Sequence, residues 1–466
     1  MEFPDMEWML LKCEEGLPSD LPKMTTLYTN AAVPLAVLTE DARKTLLPSG
    51  MDDGEPLVAV DIEVDATRLK SVVPAGTKAS QGVRDVDLDG RMVFPGFVDA
   101  HVHLDKAFTW QRAPNPRGRF EDALEILRQD REHWTRDDLM RRADFALRCA
   151  EAHGTVALRT HIDAGPGSGE AAFDVMAELR EKWSGRIELQ TVALCGVEQY
   201  SEPGADSLVD RALGHPGGLL GGMPRMNLDL YDQLDRLLSI AEERRCGIDL
   251  HVDESGDAAA ETLRYLAHAV LLRGFSYPVT CGHACSLAVQ RTERWASTIA
   301  LVRAAGINII SLPLCNLYLQ GRRNSEAGTP GTPYWRGVTL IHELMDAGVP
   351  VACASDNVRD AFYAYGDFDL FEVFWMSVRI AHLDTRLEAA PQLVTGSAAR
   401  IMGLSEQEGF IGAGTAARLI CFEARSFNEL LSRPAQKRHL ISGEVMSEPK
   451  IPDYRELNCS NISTSV

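Results

Sequence analysis

The ten cysteines, spread from Cys13 to Cys459, contain no Cys-x-x-Cys pair. This scatter excludes a disulfide framework or a cysteine-rich metal knuckle and suits reduced thiols. Positive charge is also short: 47 Lys and Arg against 67 Asp and Glu leave a formal net charge of −20. Such a chain repels nucleic acid and anionic membranes, so neither is expected as a partner, whereas a cationic small molecule is drawn in. No apolar run approaches the ~18 residues that a membrane span requires. The opening Met1-Glu2-Phe3-Pro4-Asp5 has neither a basic region nor an apolar stretch, which predicts a cytoplasmic protein. What remains is an ordinary globular composition, 45% hydrophobic and 24% charged over 466 residues. That length accommodates one large domain and a smaller one.

The texture changes along the chain. Residues 1–92 begin irregularly, then show short alternating runs such as Leu57–Val64 separated by turn signals, including Asp89-Gly90. They are expected to form part of a small β domain. Residues 93–405 alternate apolar strands with amphipathic helices. Strands are predicted at 93–100, 156–162, 187–194, 218–221, 248–252, 279–282, 307–311 and 349–354. Helical stretches are predicted at 120–148, 171–183, 228–245 and 257–273. Eight βα repeats over this length predict an α/β fold of the (β/α)8 TIM-barrel type. The rival doubly wound sheet lacks its signature, because no Gly-x-Gly-x-x-Gly follows the first strand. Residues 406–450 return to strand texture at 411–423 and 441–446. They are expected to complete a small β-sandwich built from both chain ends, with 451–466 a polar tail.

The most informative segment is Val93-Phe94-Pro95-Gly96-Phe97-Val98-Asp99-Ala100-His101-Val102-His103, an apolar strand ending in two histidines. Side chains alternate along a strand, so residues 101 and 103 point to one side and can hold a divalent metal. Later strand ends carry His161, His251 with Glu254, His283 and Asp356. Each has a purely structural alternative: His161 as a core histidine, His283 and Asp356 as helix caps. Their concentration at the ends of barrel strands, where active residues of this fold reside, favours a site.

The pattern resembles the amidohydrolase superfamily and, within it, the cytosine deaminase branch, over about residues 90–425. His101-Val102-His103-Leu104-Asp105 resembles the first-strand ligand pair, and His251-Val252-Asp253-Glu254 the fifth-strand His-x-Asp-Glu segment. Gly282-His283 resembles the sixth-strand histidine, Asn316–Arg322 the loop after the seventh strand, and Ser355-Asp356-Asn357 the eighth-strand metal aspartate. The resemblance implies one divalent ion, zinc or iron(II), held by His101, His103, His251 and Asp356, with water activated beside it. Asp356 would take the water's proton, His283 would orient the nucleophile, and Glu254 would protonate the substrate nitrogen and the departing amine. Binuclear relatives use a fourth-strand lysine. The matching Ala193-Leu194-Cys195-Gly196 has none, so a single ion is expected.

The departures concern the substrate. Where the branch places a substrate-binding glutamine this chain has Gly196, expected to enlarge the pocket. Asn357 replaces an aspartate, and Phe362 replaces a tryptophan. With Gln320 and His161, these positions are the candidate substrate contacts. Loss of such hydrogen bonds predicts altered selectivity with retained chemistry. The expected activity is therefore release of ammonia from an N=C–NH2 group of a cytosine-like heterocycle or a guanidino compound. The alternatives are cleavage of a substituted amine or cyclic amide, and an inactive metal-binding homologue. The deaminases that edit nucleic-acid bases need His-x-Glu and Pro-Cys-x-x-Cys, which are absent. The expected partner is a small molecule, with a homo-oligomer also possible.

Overall fold

A computed structural model describes residues 25–47, 55–77, 83–165, 169–324, 329–405 and 407–458. Cys13, Cys459 and the irregular segment 1–24 lie outside the described residues, as do residues 459–466 of the expected tail. Eight parallel strands form one sheet: Phe97–Val102, Thr155–Asp163, Glu188–Leu194, Gly218–Gly222, Ile248–Val252, Val279–His283, Ile307–Ser311 and Val351–Cys353. Each neighbours the next in sequence order. A bridge between Val102 and Asp356 links the first strand to the residues just past the last, so the sheet closes as a barrel. Parallel strands are covered on both faces, and accordingly every residue of Phe97–Val102 and Thr155–Asp163 is buried.

The surrounding helices follow their apolar spacing. Leu230–Arg244 buries Leu230, Leu234, Leu237, Leu238 and Ala241, one face of a 3.6-residue repeat, and ends at Arg245 in the left-handed region. The single helix expected over 120–148 is two, Phe120–Asp130 and Arg136–Ala152. The break follows from local hydrogen bonding. Asp130 accepts from Arg112 and from the Trp134 indole, and the Thr135 hydroxyl caps a new helix by accepting from Asp138 N.

The strand expected over 93–100 also divides. Val93–Pro95 pairs antiparallel with Arg418–Phe422 in the small domain, and only Phe97–Val102 enters the barrel. Gly96 is the swivel: a Cβ there would lie 2.3 Å from Val156 Cγ1. Two four-stranded sheets make the small β-sandwich. One contains Arg68–Pro74, Leu57–Asp65, Thr26–Pro34 and Arg84–Asp87. The other contains Val445–Ser447, Arg438–Ser442, Arg418–Phe422 and Val93–Pro95. Val60, Ile62 and Val64 from the first share a core with Val93, Leu419 and Ile441 from the second.

Residues 451–458 are more than a polar tail. Tyr454 packs against Phe108 and Phe145, its hydroxyl donates to Asp367, and Arg148 pairs with Glu456. All eight cysteines among the described residues are free thiols. No helix among the described residues is long and apolar enough to cross a membrane.

Gly96→Ala is expected to lower stability by about 1–3 kcal/mol through overpacking against Val156, read as a lower midpoint in thermal or denaturant unfolding.

Candidate active site

Barrel closure builds the first half of the site. Asp356 N donates to the His101 carbonyl at 2.9 Å, and Ser355 N donates to the buried Asp99 carboxylate at 3.0 Å. Asp356 sits at φ 62°, a left-handed conformation that aspartate tolerates better than most residues. His101 lies on the first strand, His103 one residue beyond its end, and His251 on the fifth. Their Nε2 atoms converge: His101 to His251 is 3.2 Å, and His251 to His103 is 3.3 Å. Asp356 Oδ1 lies 3.2 Å from His103 Nε2 and 3.6 Å from His101 Nε2.

These spacings fit a cation. Two nitrogens, each about 2.0–2.1 Å from a tetrahedral ion, stand about 3.3–3.4 Å apart. Burial drives the pKa of all three imidazoles well below 6.5, so each presents a neutral ring with a lone pair. Burial pushes the Asp356 carboxyl up to about 7, and neither of its oxygens has a hydrogen-bond partner. Donor atoms of this chemistry at these separations could hold a divalent ion.

The acid–base groups stand alongside. Asp253, at φ 48°, turns the chain after the fifth strand, and its carboxylate accepts from Thr262 N, Thr262 Oγ1 and Leu263 N. That bracing fixes the following residue, Glu254. Its Oε1 accepts from Asn316 Nδ2 at 3.2 Å and lies 3.6 Å from His283 Nδ1. Asn316 Nδ2 also donates to His283 Nδ1 at 2.9 Å, so the imidazole's other nitrogen carries the proton. Gln320, one helical turn on, donates to the Glu254 carbonyl at 3.1 Å. Burial, reinforced by the Asp356 charge, raises the Glu254 pKa well above its usual value.

The other predicted contacts are placed differently. His161 lies against the histidine cluster inside the barrel, its ring 3.9 Å from that of His101, and faces Asp249 at 3.8 Å. Asn357 turns away to donate to Asp360 at 2.7 Å. Phe362 is nearly buried against Phe120. Gly196 follows the third barrel strand, not the fourth; the fourth, Gly218–Gly222, leads into Met223-Pro224 and brings no lysine either. Nor does Gly196 open the pocket as expected. A Cβ there would meet Glu198 Oε1 at 2.0 Å, so the Glu198 carboxylate already fills the space.

Comparison with known proteins agrees with this arrangement. The Amidohydrolase family model matches residues 84–134 and 116–448. The chain belongs to the amidohydrolase family. It is 45% identical over 406 residues to a pterin deaminase of Rhizobium rhizogenes, covering 87% of this chain and 91% of that one. Its fold matches 5-methylcytosine deaminase of Klebsiella pneumoniae liganded with phosphonocytosine, at TM-score 0.76 and 25% identity, over 90% and 97% of the two chains. N-isopropylammelide isopropylaminohydrolase of Burkholderia multivorans gives TM-score 0.70 and 25% identity, over 91% and 98%. This amidohydrolase is accordingly an enzyme of carbon–nitrogen bonds other than peptide bonds.

Sequence reasoning missed several groups in this amidohydrolase. Asn316 lay within a recognised segment, but its bridge between Glu254 and His283 exists only in three dimensions. Lys106 follows the first-strand motif and is almost fully buried. Its ammonium is 2.9 Å from Asp163 and 5.7 Å from the centre of the Phe362 ring. Arg131 neutralises the other Asp163 oxygen at 2.7 Å. A lysine three residues past the histidine pair, directly after Asp105, was the available signal.

Asp356→Ala is expected to reduce bound divalent metal from about one ion per chain to a small fraction of that. Elemental analysis of the purified protein checks it, with circular dichroism showing that the barrel persists.

Proposed function

We propose that this amidohydrolase is a mononuclear metal-dependent deaminase that hydrolyses the ring N=C–NH2 group of a pterin-like heterocycle. The carrying observation is the held trio of Glu254, Asn316 and His283 beside the convergent His101, His103 and His251, with Asp356 against the first two. Similarity along 87% of the chain to a pterin deaminase supports a bicyclic ring over an open guanidine. His101, His103, His251 and Asp356 would hold the ion, zinc or iron(II), which as a Lewis acid makes water nucleophilic near neutral pH.

The protein's own groups do the rest. Water adds to the amidine carbon, and its oxygen becomes the product carbonyl. Asp356 receives a proton from the attacking water. His283, with its proton on Nε2, donates a hydrogen bond to the oxygen that develops charge. Glu254 gives a proton to the ring nitrogen, which makes the carbon electrophilic. It then takes the proton that leaves the added oxygen and passes it to the amino group so that ammonia leaves, and the proton held by Asp356 returns to Glu254. Asn316 keeps Glu254 and His283 in register through both transfers. Lys106 offers a buried cation to a ring oxygen.

Cleavage of a substituted amine is the second reading, supported by the likeness to N-isopropylammelide isopropylaminohydrolase. Product analysis separates the two, because only deamination of an unsubstituted amine yields ammonia.

With pterin as substrate and metal-loaded protein, Glu254→Gln is expected to lower the rate of ammonia release by about 10²–10⁴-fold while metal content stays unchanged. Retained activity in that variant rejects Glu254 as the proton carrier. Lys106→Met is expected to raise KM about ten-fold or more, the cost of losing a charged hydrogen bond, in steady-state kinetics.

A further inference from the structure

A cavity of about 570 Å³ shares Gln320 with the proposed centre. It lies between the helix Pro313–Leu319, the helix Leu370–Ala381 and the loop around Pro116. Two connections join it to the chemistry. Gln320 lines it while donating to the Glu254 carbonyl, and Tyr363 lines it as the chain neighbour of Phe362.

Its walls combine two features. Tyr318, Tyr363 and Tyr365 stand mutually edge-to-face, with ring centres 5.5, 5.8 and 6.0 Å apart. Such a corner offers aromatic edges and faces to a planar guest. Beside it are Arg117, Arg322 and Arg323, and none of the described lining residues is acidic. In a chain of net charge −20, three guanidinium groups around one cavity are a local reversal of sign. Each has a protein partner: Arg117 pairs with Asp122, Arg322 donates to the Tyr318 carbonyl over that residue's ring, and Arg323 donates to the Thr332 carbonyl and stacks on Tyr334. These contacts orient the guanidinium groups without using all five N–H donors of any of them.

Building on the pterin reading above, we propose that this cavity is a substrate subsite for an aryl carboxylate carried by the heterocycle. The ring to be deaminated sits at the histidine cluster. Its substituent passes Gln320, stacks in the tyrosine corner and meets the arginines with its carboxylate. The preferred substrate class is then a pterin with an aromatic, anionic side chain, such as pteroate, over pterin itself.

The test compares kcat/KM for pterin, pterin-6-carboxylate and pteroate in the metal-loaded wild type and in two surface variants, Arg117→Glu and Tyr365→Ala. Tyr365 and Arg117 are exposed, so neither variant disturbs the core. The expected result is that pteroate exceeds pterin in the wild type. Each variant should lower pteroate turnover about ten-fold and leave pterin within two-fold. Added salt should weaken pteroate more than pterin. Equal effects on all three substrates, or no preference for pteroate in the wild type, overturn the subsite while leaving the pterin reading intact. A binding titration with 4-aminobenzoate, the tail without the ring, separates the opposite failure. If it binds wild type, is weakened by Arg117→Glu, and no pterin is deaminated, the subsite stands and the ring assignment falls. If it does not bind, the subsite falls.

Discussion

One hydrogen bond, from Asp356 N to the His101 carbonyl, closes the barrel and assembles its centre at the same time. The first and last strands are separated by some two hundred and fifty residues of chain, and closure sets their ends side by side. His101 and Asp356 thereby face the same point. His251 reaches it from the fifth strand, across the barrel interior. Because strands in a closed parallel sheet have little freedom to slide, the separations among these ligands are a property of the fold as a whole.

The interior sets the electrostatics. Removal from water keeps the histidines neutral and disfavours charge on Asp356, and a cation held among them would favour the ionised carboxylate. Against the cluster, Arg159 pairs with Asp249 at 2.7 Å, and His161 stacks on His101. This layer supports the His101 ring from beneath the cluster. Backbone strain gathers at the same level: Asp253, His283, Ala284 and Asp356 all have positive φ. Side chains at strand ends are turned inward at that cost, as expected where function overrides local preference.

Much of the fold was readable because its signals are local and repeated. Apolar runs at 248–252 and 307–311 became strands at those limits, and the buried spacing of Leu234, Leu238 and Ala241 became a helix face. Errors arose where a tertiary contact cuts across a continuous apolar pattern. Pro95-Gly96 permits a break within Val93–Ala100, but the division is decided by the strand Arg418–Phe422, more than three hundred residues later, which takes Val93–Pro95 into another sheet. The tail past residue 450 reads as polar, yet Tyr454 packs against Phe108 and Phe145. At the site, the histidines and Glu254 were visible through their positions at strand ends. Asn316 was not, since an asparagine in a short helix has no distinguishing pattern.

The sequence by itself determined the barrel, the candidate ligand set and the type of bond attacked. The barrel rests on periodicity, and the ligand set and bond type rest on the resemblance of the His-x-His, His-x-Asp-Glu and Ser-Asp-Asn segments to the amidohydrolases. Tertiary structure decided which groups meet: that Glu198 fills the space beside Gly196, that Asn357 turns toward Asp360, that Lys106 is buried near Phe362, and that arginines surround the tyrosine corner. Each of those depends on two chain segments arriving at one place. Side-chain identity carries chemistry along the chain, but selectivity is a matter of distance, and distance exists only after folding.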